Sequence, residues 1–277
     1  MDRQDPFLQQ AAAMPAMPEV ARKLLKSFDR DDLAIGELTH LIGQDQTLSA
    51  KVLRMANSAR YAPTRTIAVL SDAAACLGMR TLRDLTLSAS MTGAFPSLPG
   101  FDRLVFWRDN LANAAYAQTL ARGLDADPDV AYLGGLMLRT GQVLMAMVVP
   151  QAMAEVARHH LDMDVDTRIG FEQSIVGRSH PTVTAALARH WQFPEALASA
   201  FEAAAEPLAA RPFCRLGAVL RLASVVTESR DRGLSASAGL LAAQPELVEH
   251  LQLDLEWLET HLPAHALATA GADMLMN

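Results

Sequence analysis

The most apolar part of the sequence runs from Val130 to Val149 and reads VAYLGGLMLRTGQVLMAMVV. A helix that is apolar on nearly all sides is buried in a protein core or in a membrane. Arg139 lies at the middle of this stretch, and an arginine near a bilayer midplane costs about 2.5 kcal/mol or more. We therefore predict the central helix of a soluble domain and no membrane span. Asp127 and Pro128 indicate where the helix begins, and Pro150 indicates where it ends.

Apolar residues recur at helical spacing on both sides of this stretch. Leu48, Val52 and Met55 share one helical face after Asp45, a candidate N-cap. A long helix is predicted over 102–123, from an aspartate cap to a terminal glycine. No alternating pattern of useful length indicates a β-strand. The sequence therefore predicts an all-α fold.

Composition indicates which kinds of partner and which cellular compartment to expect. The net charge is -7 and the isoelectric point is near 5.6, so we expect no nucleic-acid partner. Cys76 and Cys214 have apolar sequence neighbours, which predicts reduced thiols in the core. The N-terminus lacks the apolar run of a signal peptide, so we expect a cytoplasmic protein without a membrane partner.

Charge is spread unevenly along the chain. From Lys51 to Arg83 there are six basic residues against Asp72 alone, whereas 244–277 contains no lysine or arginine. The two regions could attract each other or remain solvated. The other interpretation is that the basic region binds an acidic partner or a phosphate-bearing ligand. The six basic residues are Lys51, Arg54, Arg60, Arg65, Arg80 and Arg83.

The segment 44–59, QDQTLSAKVLRMANSA, resembles the most specific motif of the HDOD family of bacterial signalling proteins. Further elements in the same order are similar to family motifs, and the resemblance covers about residues 14 to 205. These elements are Met14-Pro15-Ala16-Met17-Pro18, Leu77-Gly78 with Leu82-Arg83, Phe106-Trp107-Arg108, and Trp191-Gln192-Phe193-Pro194.

The resemblance implies an N-terminal helical bundle packed on a degenerate core related to HD phosphohydrolases. A linker signal at 95–100 separates the two parts. We expect a flexible segment at 1–13, the bundle at 14–95, the HD-like core at 101–230, and an acidic helical segment at 231–277.

An HD phosphohydrolase binds divalent metal through a histidine, an adjacent His-Asp pair and a later aspartate. By the resemblance, these positions fall at Asp109, at Leu138 and Arg139, and at Ser224. Leu138 has no donor atom, and Arg139 places a positive charge where the cation should lie. We therefore expect no metal, no cofactor and no catalysis by this route.

Three further polar residues leave alternatives open. His180 lies at a histidine that the family often keeps. It could cap a helix or donate a hydrogen bond behind the former site, or it could be a ligand in a divergent enzyme. Asn57 and Ser58 could bond local backbone at a helix end, or contact a ligand or partner.

We therefore expect a non-catalytic regulatory protein that binds a separate signalling protein, with contacts near Arg54, Arg80 and Arg83 and a contribution from Asn57 and Ser58. One alternative is a divergent metal-dependent phosphohydrolase or phosphodiesterase. Another is a sensor that binds a nucleotide at the basic helices without hydrolysing it. The sequence leaves the oligomeric state open.

Overall fold

The structure is a computed structural model that describes residues 7, 19–26, 35–58, 61, 63–95, 98, 101–158 and 163–273. Every regular element in these residues is a helix, so the predicted all-α fold is confirmed. Apart from Phe7, the predicted flexible segment 1–13 lies outside the described residues, as does the motif at 14–18.

Helices α1 to α3 all pack against α4, the longest helix of the N-terminal part. Asp45 caps α3 as predicted, because its carboxylate accepts a hydrogen bond from the backbone N–H of Leu48 at 3.0 Å. Gly78 interrupts the helical geometry inside α4, with φ 78°. The four helices are α1 (Glu19–Lys26), α2 (Ile35–Gly43), α3 (Gln46–Ala56) and α4 (Leu70–Ala94).

The middle of the chain is built on the long helix α5, which packs against α6 and α12. Asp102 caps α5 by accepting a hydrogen bond from Val105 N, and the helix ends at Gly123, as the sequence predicts. The helices of this part are α5 (Arg103–Gly123), α6 (Pro128–Met137), α7 (Thr140–Val148), α8 (Pro150–Arg158), α9 (Val165–Val176), α10 (His180–His190), α11 (Glu195–Ala203) and α12 (Arg215–Asp231).

The prediction of one uninterrupted central helix is wrong. The chain leaves α6 at Leu138, and Arg139 has φ -90° and ψ 0° before α7 begins at Thr140. The stretch is buried in the protein, as predicted. Its composition would suit a membrane span, but 83% of the apolar window in 128–148 is buried inside the protein. Arg139 lies at this break, and its side chain contacts Asp109 of α5.

Two glycines allow helices to approach closely around this break. A Cβ atom on Gly135 would lie 2.6 Å from the backbone oxygen of Asn113 in α5. A Cβ atom on Gly141 would overlap the backbone oxygen of His180 at the start of α10. The absence of a side chain at Gly135 therefore lets the backbone of α5 lie close to α6.

The chain after α12 is helical where the sequence suggests a separator. We expect a break at 233–245, but Ala236–Ala243 forms a helix because Ser235 caps it and Leu240 is buried. This helix packs on α12, and later helices pack on α5. They are α13 (Ala236–Ala243), α14 (Pro245–Leu251), α15 (Leu255–His261) and α16 (His265–Ala268).

The prediction that both cysteines lie in the core is wrong. Cys76 is exposed and Cys214 is partly exposed, and both are free thiols. Cys214 lies just before α12, where its Sγ accepts a hydrogen bond from Gly217 N at 3.4 Å. Apolar neighbours in sequence do not decide which face of a helix a residue occupies, and Cys76 falls on the outer face of α4.

Candidate functional site

Asp109 and Arg139 meet in a buried ion pair between α5 and the break after α6. Nη1 of Arg139 donates to Oδ2 of Asp109 at 2.7 Å. Arg139 is 7% exposed and Asp109 is 3% exposed. Nε of Arg139 donates to the Gln142 side-chain oxygen at 3.3 Å. The guanidinium is therefore held by a charged and a neutral acceptor at the position that the resemblance assigns to a metal.

Hydrogen bonds continue from this pair to α9 and α10. The side-chain amide of Gln142 donates to Oε1 of Glu172 at 3.2 Å. Oε2 of Glu172 accepts a hydrogen bond from the backbone N–H of His180. The same oxygen lies 2.7 Å from Nδ1 of the His180 ring. Arg168, one turn before Glu172, pairs with Glu228 of α12 at 2.5 Å. These hydrogen bonds join α5, α7, α9 and α10, and the separate ion pair of Arg168 ties α9 to α12.

The charge states in this network follow from burial. Burial lowers the pKa of His180, and the positive charges of Arg139 and Arg168 lower it further, while Glu172 opposes the shift. Burial by itself would raise the pKa of Glu172. The charge and hydrogen bonds of His180, with the hydrogen bond from Gln142, more than offset this and lower that pKa. Because an ionised carboxylate can only accept hydrogen bonds, Nδ1 of His180 is the donor to Glu172.

Leu138 and Ser224 take part in packing and local hydrogen bonding. The backbone oxygen of Leu138 accepts from the hydroxyl of Thr184 at 2.7 Å, and its side chain is buried. The Ser224 hydroxyl donates to the backbone oxygen of Leu220 at 3.3 Å. The structure therefore brings Asp109 and Arg139 into direct contact. The hydrogen bonds of Leu138 and Ser224 are instead made with Thr184 of α10 and with Leu220 of α12.

These residues do not fit a divalent metal. A cation at Asp109 would compete with the guanidinium of Arg139 for the same carboxylate, at a distance where like charges repel strongly in a buried site. Within the described part of the chain, no group of three or more His, Cys, Asp or Glu side chains could hold a metal ion. A hydrolytic step through a metal-bound water therefore has no support in the donor set.

A cavity of about 620 Å³ opens above the Asp109–Arg139 pair. Its polar lining residues are Asp102, Asp109, Arg139, Gln142 and Arg168. Its walls are apolar and come from α5, α7, α8 and the segment before α5. The apolar residues include Leu98, Phe101, Phe106, Met147, Met153 and Val156.

The arginines predicted to contact a partner differ in their accessibility. Arg83 pairs with Asp129 of α6, and both side chains are largely buried. Arg80 pairs with the same aspartate at 3.2 Å but is 55% exposed. Arg54 is exposed on α3. Part of the basic excess therefore ties the N-terminal helices to α6, through an aspartate that lies outside the acidic region 244–277.

Asn57 closes the loop between α3 and α4. Its Nδ2 donates to the backbone oxygens of Leu53 and Ile67 at 2.7 and 2.8 Å, and its Oδ1 accepts from Ile67 N at 2.8 Å. Ser58 is buried beside it at 3% exposure. These contacts match the structural alternative that the sequence left open for Asn57.

Sequence reasoning missed Gln142, Arg168 and Glu172. Gln142 carried a weak signal, because it lies in the polar group that interrupts the apolar stretch. Glu172 and Arg168 lie on α9, where acidic and basic residues alternate with apolar ones as on an ordinary solvated helix. Only the packing of α9 against its neighbours shows that both are buried.

Solved structures of other proteins share this fold. The chain aligns with the protein named "Putative phosphohydrolase" from Shewanella amazonensis SB2B at TM-score 0.78 and 25% identity, covering 99% of this chain and 98% of that one. It aligns with the "Putative signal transduction protein" of Marinobacter aquaeolei VT8 at TM-score 0.76 and 22% identity, over all of this chain and 61% of that chain.

An "HDOD domain protein with unknown function" from Geobacter sulfurreducens matches at TM-score 0.69 and 19% identity, over 92% of this chain and 96% of that one. A Treponema pallidum protein named "Uncharacterized protein" is 22% identical over 66% of this chain, and the chain spans about 36% of its length. The sequence model of the HDOD domain matches residues 14–207, which is more than half of the chain. The chain therefore belongs to the HDOD domain family.

Proposed function

We propose that this protein is a non-catalytic regulator in bacterial signalling that acts in the cytoplasm by binding another protein. The observation that carries the proposal is the buried pair between Arg139 and Asp109. In a hydrolase related to this fold, a cation would neutralise the carboxylate and activate water. Here a fixed guanidinium neutralises the carboxylate and offers no water ligand.

The network around the pair supports a structural role for the former active site. A buried carboxylate or guanidinium is costly unless it is paired and hydrogen-bonded. Asp109 is paired with Arg139, and Glu172 accepts from His180 and Gln142. Each carboxylate thus has a partner within the protein, so it holds helices together without a metal.

A protein partner needs an accessible surface, and the exposed end of α3 offers one. Burial and the nearby charges of Arg54 and Arg103 lower the pKa of Lys51, which shows that the three cations lie close together. Such clustering of like charge costs stability and favours a negatively charged partner. We place the contact surface at Lys51, Arg54 and Arg103 and leave Arg80 out, since it pairs with Asp129. Arg83 is left out because Asp129 holds it.

Two alternative functions, a phosphohydrolase and a nucleotide sensor, are distinguished from this proposal by the experiment below. The name of the Shewanella amazonensis neighbour favours a phosphohydrolase, which here would have to use Asp109 and His180. His180 is fully buried and bonded to Glu172, so it could reach a metal only after rearrangement. A nucleotide sensor would instead use the cations at Lys51, Arg54 and Arg103 without turnover.

Metal content and turnover separate these functions. We expect protein purified without added metal to contain no stoichiometric iron, manganese or zinc, and not to hydrolyse bis(p-nitrophenyl) phosphate or cyclic dinucleotides. Stoichiometric metal or turnover that disappears in Asp109→Ala would overturn the proposal in favour of an enzyme. A control variant, Asp72→Ala, removes an exposed carboxylate and should leave both measurements unchanged. A thermal shift with a nucleotide panel, lost in Arg54→Glu, would instead support the sensor.

A further inference from the structure

The four N-terminal helices leave a second pocket between them, with a volume of about 430 Å³. Each helix contributes one apolar side chain to its lining. An apolar cavity of about 150 Å³ is enough to hold a benzene ring, so this pocket has room for a large apolar side chain of another molecule. The apolar lining residues are Val20 of α1, Leu41 of α2, Leu48 of α3 and Ala89 of α4.

Cations lie in a row that leads away from the mouth of this pocket. Thr47 at the mouth is exposed, and Lys51 also lines the pocket. Residues three and four apart lie on one face of a helix, so Thr47, Lys51 and Arg54 follow one another along α3. Nη2 of Arg103 donates to the backbone oxygen of Thr92 at 3.2 Å, which holds Arg103 beside α4. The pocket and the three cations therefore form one surface between α3 and α4.

The carboxylates around the mouth are engaged elsewhere. Oε1 of Glu19 pairs with Nζ of Lys23 at 3.0 Å. Asp45 and Asp102 each accept a hydrogen bond from a backbone N–H of the helix that they cap, at 3.0 Å. The charged groups at and beside the pocket are thus Glu19, Asp45 and Asp102 on the acidic side, and Lys23, Lys51, Arg54 and Arg103 on the basic side.

The row of cations carries positive charge that the described residues leave unmatched. Among these residues, no carboxylate forms an ion pair with Arg54 or Arg103. Burial lowers the pKa of Lys51, and Arg54 and Arg103 lower it further without a described carboxylate to oppose them. Carboxylates of another molecule would relieve this repulsion. The surface therefore suits an occupant that is acidic and also offers an apolar group.

We propose that the protein partner binds this surface through an acidic segment that carries one large apolar side chain. The apolar side chain enters the pocket between α1, α2, α3 and α4, and the carboxylates beside it pair with Lys51, Arg54 and Arg103. The assignment rests on the proposed function, because it names the part of a protein partner that the basic surface recognises. The anchor adds selectivity, since charge alone attracts any acidic protein whereas a filled pocket requires a matching side chain.

Three matched peptides test the chemistry of the segment. EDEFEDE has three acidic residues on each side of one phenylalanine, EDEAEDE lacks the aromatic anchor, and QNQFQNQ lacks the charge. We expect saturable binding of EDEFEDE in calorimetry at low ionic strength, with the dissociation constants of the other two at least about tenfold larger. Equal binding of EDEAEDE would overturn the role of the pocket, and equal binding of QNQFQNQ would overturn the role of the cations. No saturable binding of EDEFEDE in the millimolar range would overturn the assignment as a whole.

Pocket-blocking variants test the location. Thr47→Trp places a large side chain at the exposed mouth of the pocket. Thr260→Trp on α15 makes the same change at an exposed position outside the pocket. We expect the first variant to weaken EDEFEDE binding by at least about tenfold and the second to leave it unchanged. If Thr47→Trp lowers the melting temperature, Gln44→Trp at the same mouth replaces it, since Gln44 is also exposed. Unchanged binding in the folded blocking variant would refute this location.

A charge reversal tests the cations and separates a peptide from a free anion. Arg54→Glu should weaken EDEFEDE binding, whereas Arg211→Glu should not, because Arg211 is exposed and bonds only to backbone oxygens far along the chain. Equal binding by the two variants would overturn the role of Arg54. Inorganic phosphate is the probe for a free anion. Phosphate binding as tight as that of EDEFEDE, and lost in Arg54→Glu, would overturn the peptide segment as the occupant.

The same measurements keep the two proposals apart. Metal or phosphodiesterase turnover, with EDEFEDE binding lost in Thr47→Trp, would overturn the non-catalytic function and leave the pocket assignment standing. EDEFEDE binding that ignores the blocking variant, in a protein without metal or turnover, would overturn the pocket assignment alone.

Discussion

Nη1 of Arg139 lies 2.7 Å from Oδ2 of Asp109, and the two residues are contributed by segments that are 30 positions apart in the chain. The pair replaces an ion–carboxylate contact with a covalently anchored cation. Because a side chain cannot dissociate as a metal does, the charge on Asp109 is neutralised permanently. The stability of the fold should therefore depend on Arg139 and not on added metal.

We expect Arg139→Met to lower the free energy of unfolding by about 3 to 5 kcal/mol, because it leaves the buried Asp109 uncompensated. Urea denaturation measures the effect. The double variant Arg139→Met with Asp109→Leu removes both charges and should recover most of the loss. Arg158→Met is the control, since its pair with Glu155 is exposed and worth about 1 kcal/mol or less. A similar loss in Arg139→Met and the control would contradict the assignment.

The pH dependence of stability should follow His180 and Glu172. The folded pKa of His180 is below its ordinary value of 6.5, so the unfolded chain binds more protons than the folded one in that interval. Stability is then fully present above about pH 6.5 and is lost as pH falls through the folded pKa. The lowered pKa of Glu172 adds a loss of the same sign below its ordinary 4.5.

Thermal melts between pH 5 and pH 8, about the range in which histidine titrates, check this expectation. His180→Gln removes the titrating group and should flatten the slope near pH 6, about the ordinary histidine value. His190→Gln is the control, because that histidine is exposed. A slope that His180→Gln leaves as steep as in the wild-type protein would show that other groups carry it.

The approach of α7 to α10 should tolerate no side chain at Gly141. Its Cβ would overlap the backbone oxygen of His180, which cannot move as a flexible side chain does. We expect Gly141→Ala to destabilise the protein by about 1 to 3 kcal/mol or more, as overpacking does. Gly170→Ala in α9 has open space around it and should stabilise by about 0.5 to 1 kcal/mol. Equal signs for the two variants in chemical denaturation would contradict this account.

The ion pair between Arg83 and Asp129 joins α4 to α6. We expect Asp129→Asn to cost about 1.5 to 3 kcal/mol, because hydrogen bonds to charged groups are worth that much where they are largely buried. Asp72→Asn, whose partner Arg65 is 70% exposed, should cost about 1 kcal/mol or less. The difference in melting temperature between the two variants measures how far the basic excess serves folding. No difference would show that the Arg83–Asp129 pair contributes no more to folding than an exposed pair does.

Most of the fold could be predicted because its signals are local. Asp45, Asp102 and Asp127 each cap the helix that follows them, as the sequence predicts. The break at Arg139 was missed because apolar residues continue through it, so periodicity alone cannot detect a change of direction. The glycine, serine and proline residues of 233–245 suggest a separator, although serine is also a preferred N-cap, as at Ser235.

The candidate site was harder to predict because its contacts are long-range. The motif resemblance placed Asp109 and Arg139, but no local pattern pairs them across 30 residues. Glu172 and Arg168 look like residues of a solvated helix, and only tertiary packing buries them. The sequence left two roles open for Asn57, and its side chain hydrogen-bonds to the backbone of Leu53 and Ile67, as the first of them expects.

The surface formed by Lys51, Arg54 and Arg103 should govern association with the signalling partner. Arg54→Glu reverses one charge at an exposed position and should change stability by about 0.5 kcal/mol or less. It should nevertheless weaken the partner's binding, because it replaces attraction to an acidic surface with repulsion. Binding of the wild-type protein should also weaken at high salt, since exposed charges are screened beyond about 8 Å at physiological ionic strength.

The measurement compares the amount of one partner retained by immobilised wild-type protein with that retained by each variant at two salt concentrations. Arg211→Glu is the control, because Arg211 is exposed before α12 and bonds only to backbone oxygens there. Selective loss in Arg54→Glu, with an unchanged melting temperature, would support the surface. Equal retention by Arg54→Glu and the control would rule it out. A lowered melting temperature in Arg54→Glu would mean that Arg54 serves the fold, as Arg83 does through Asp129.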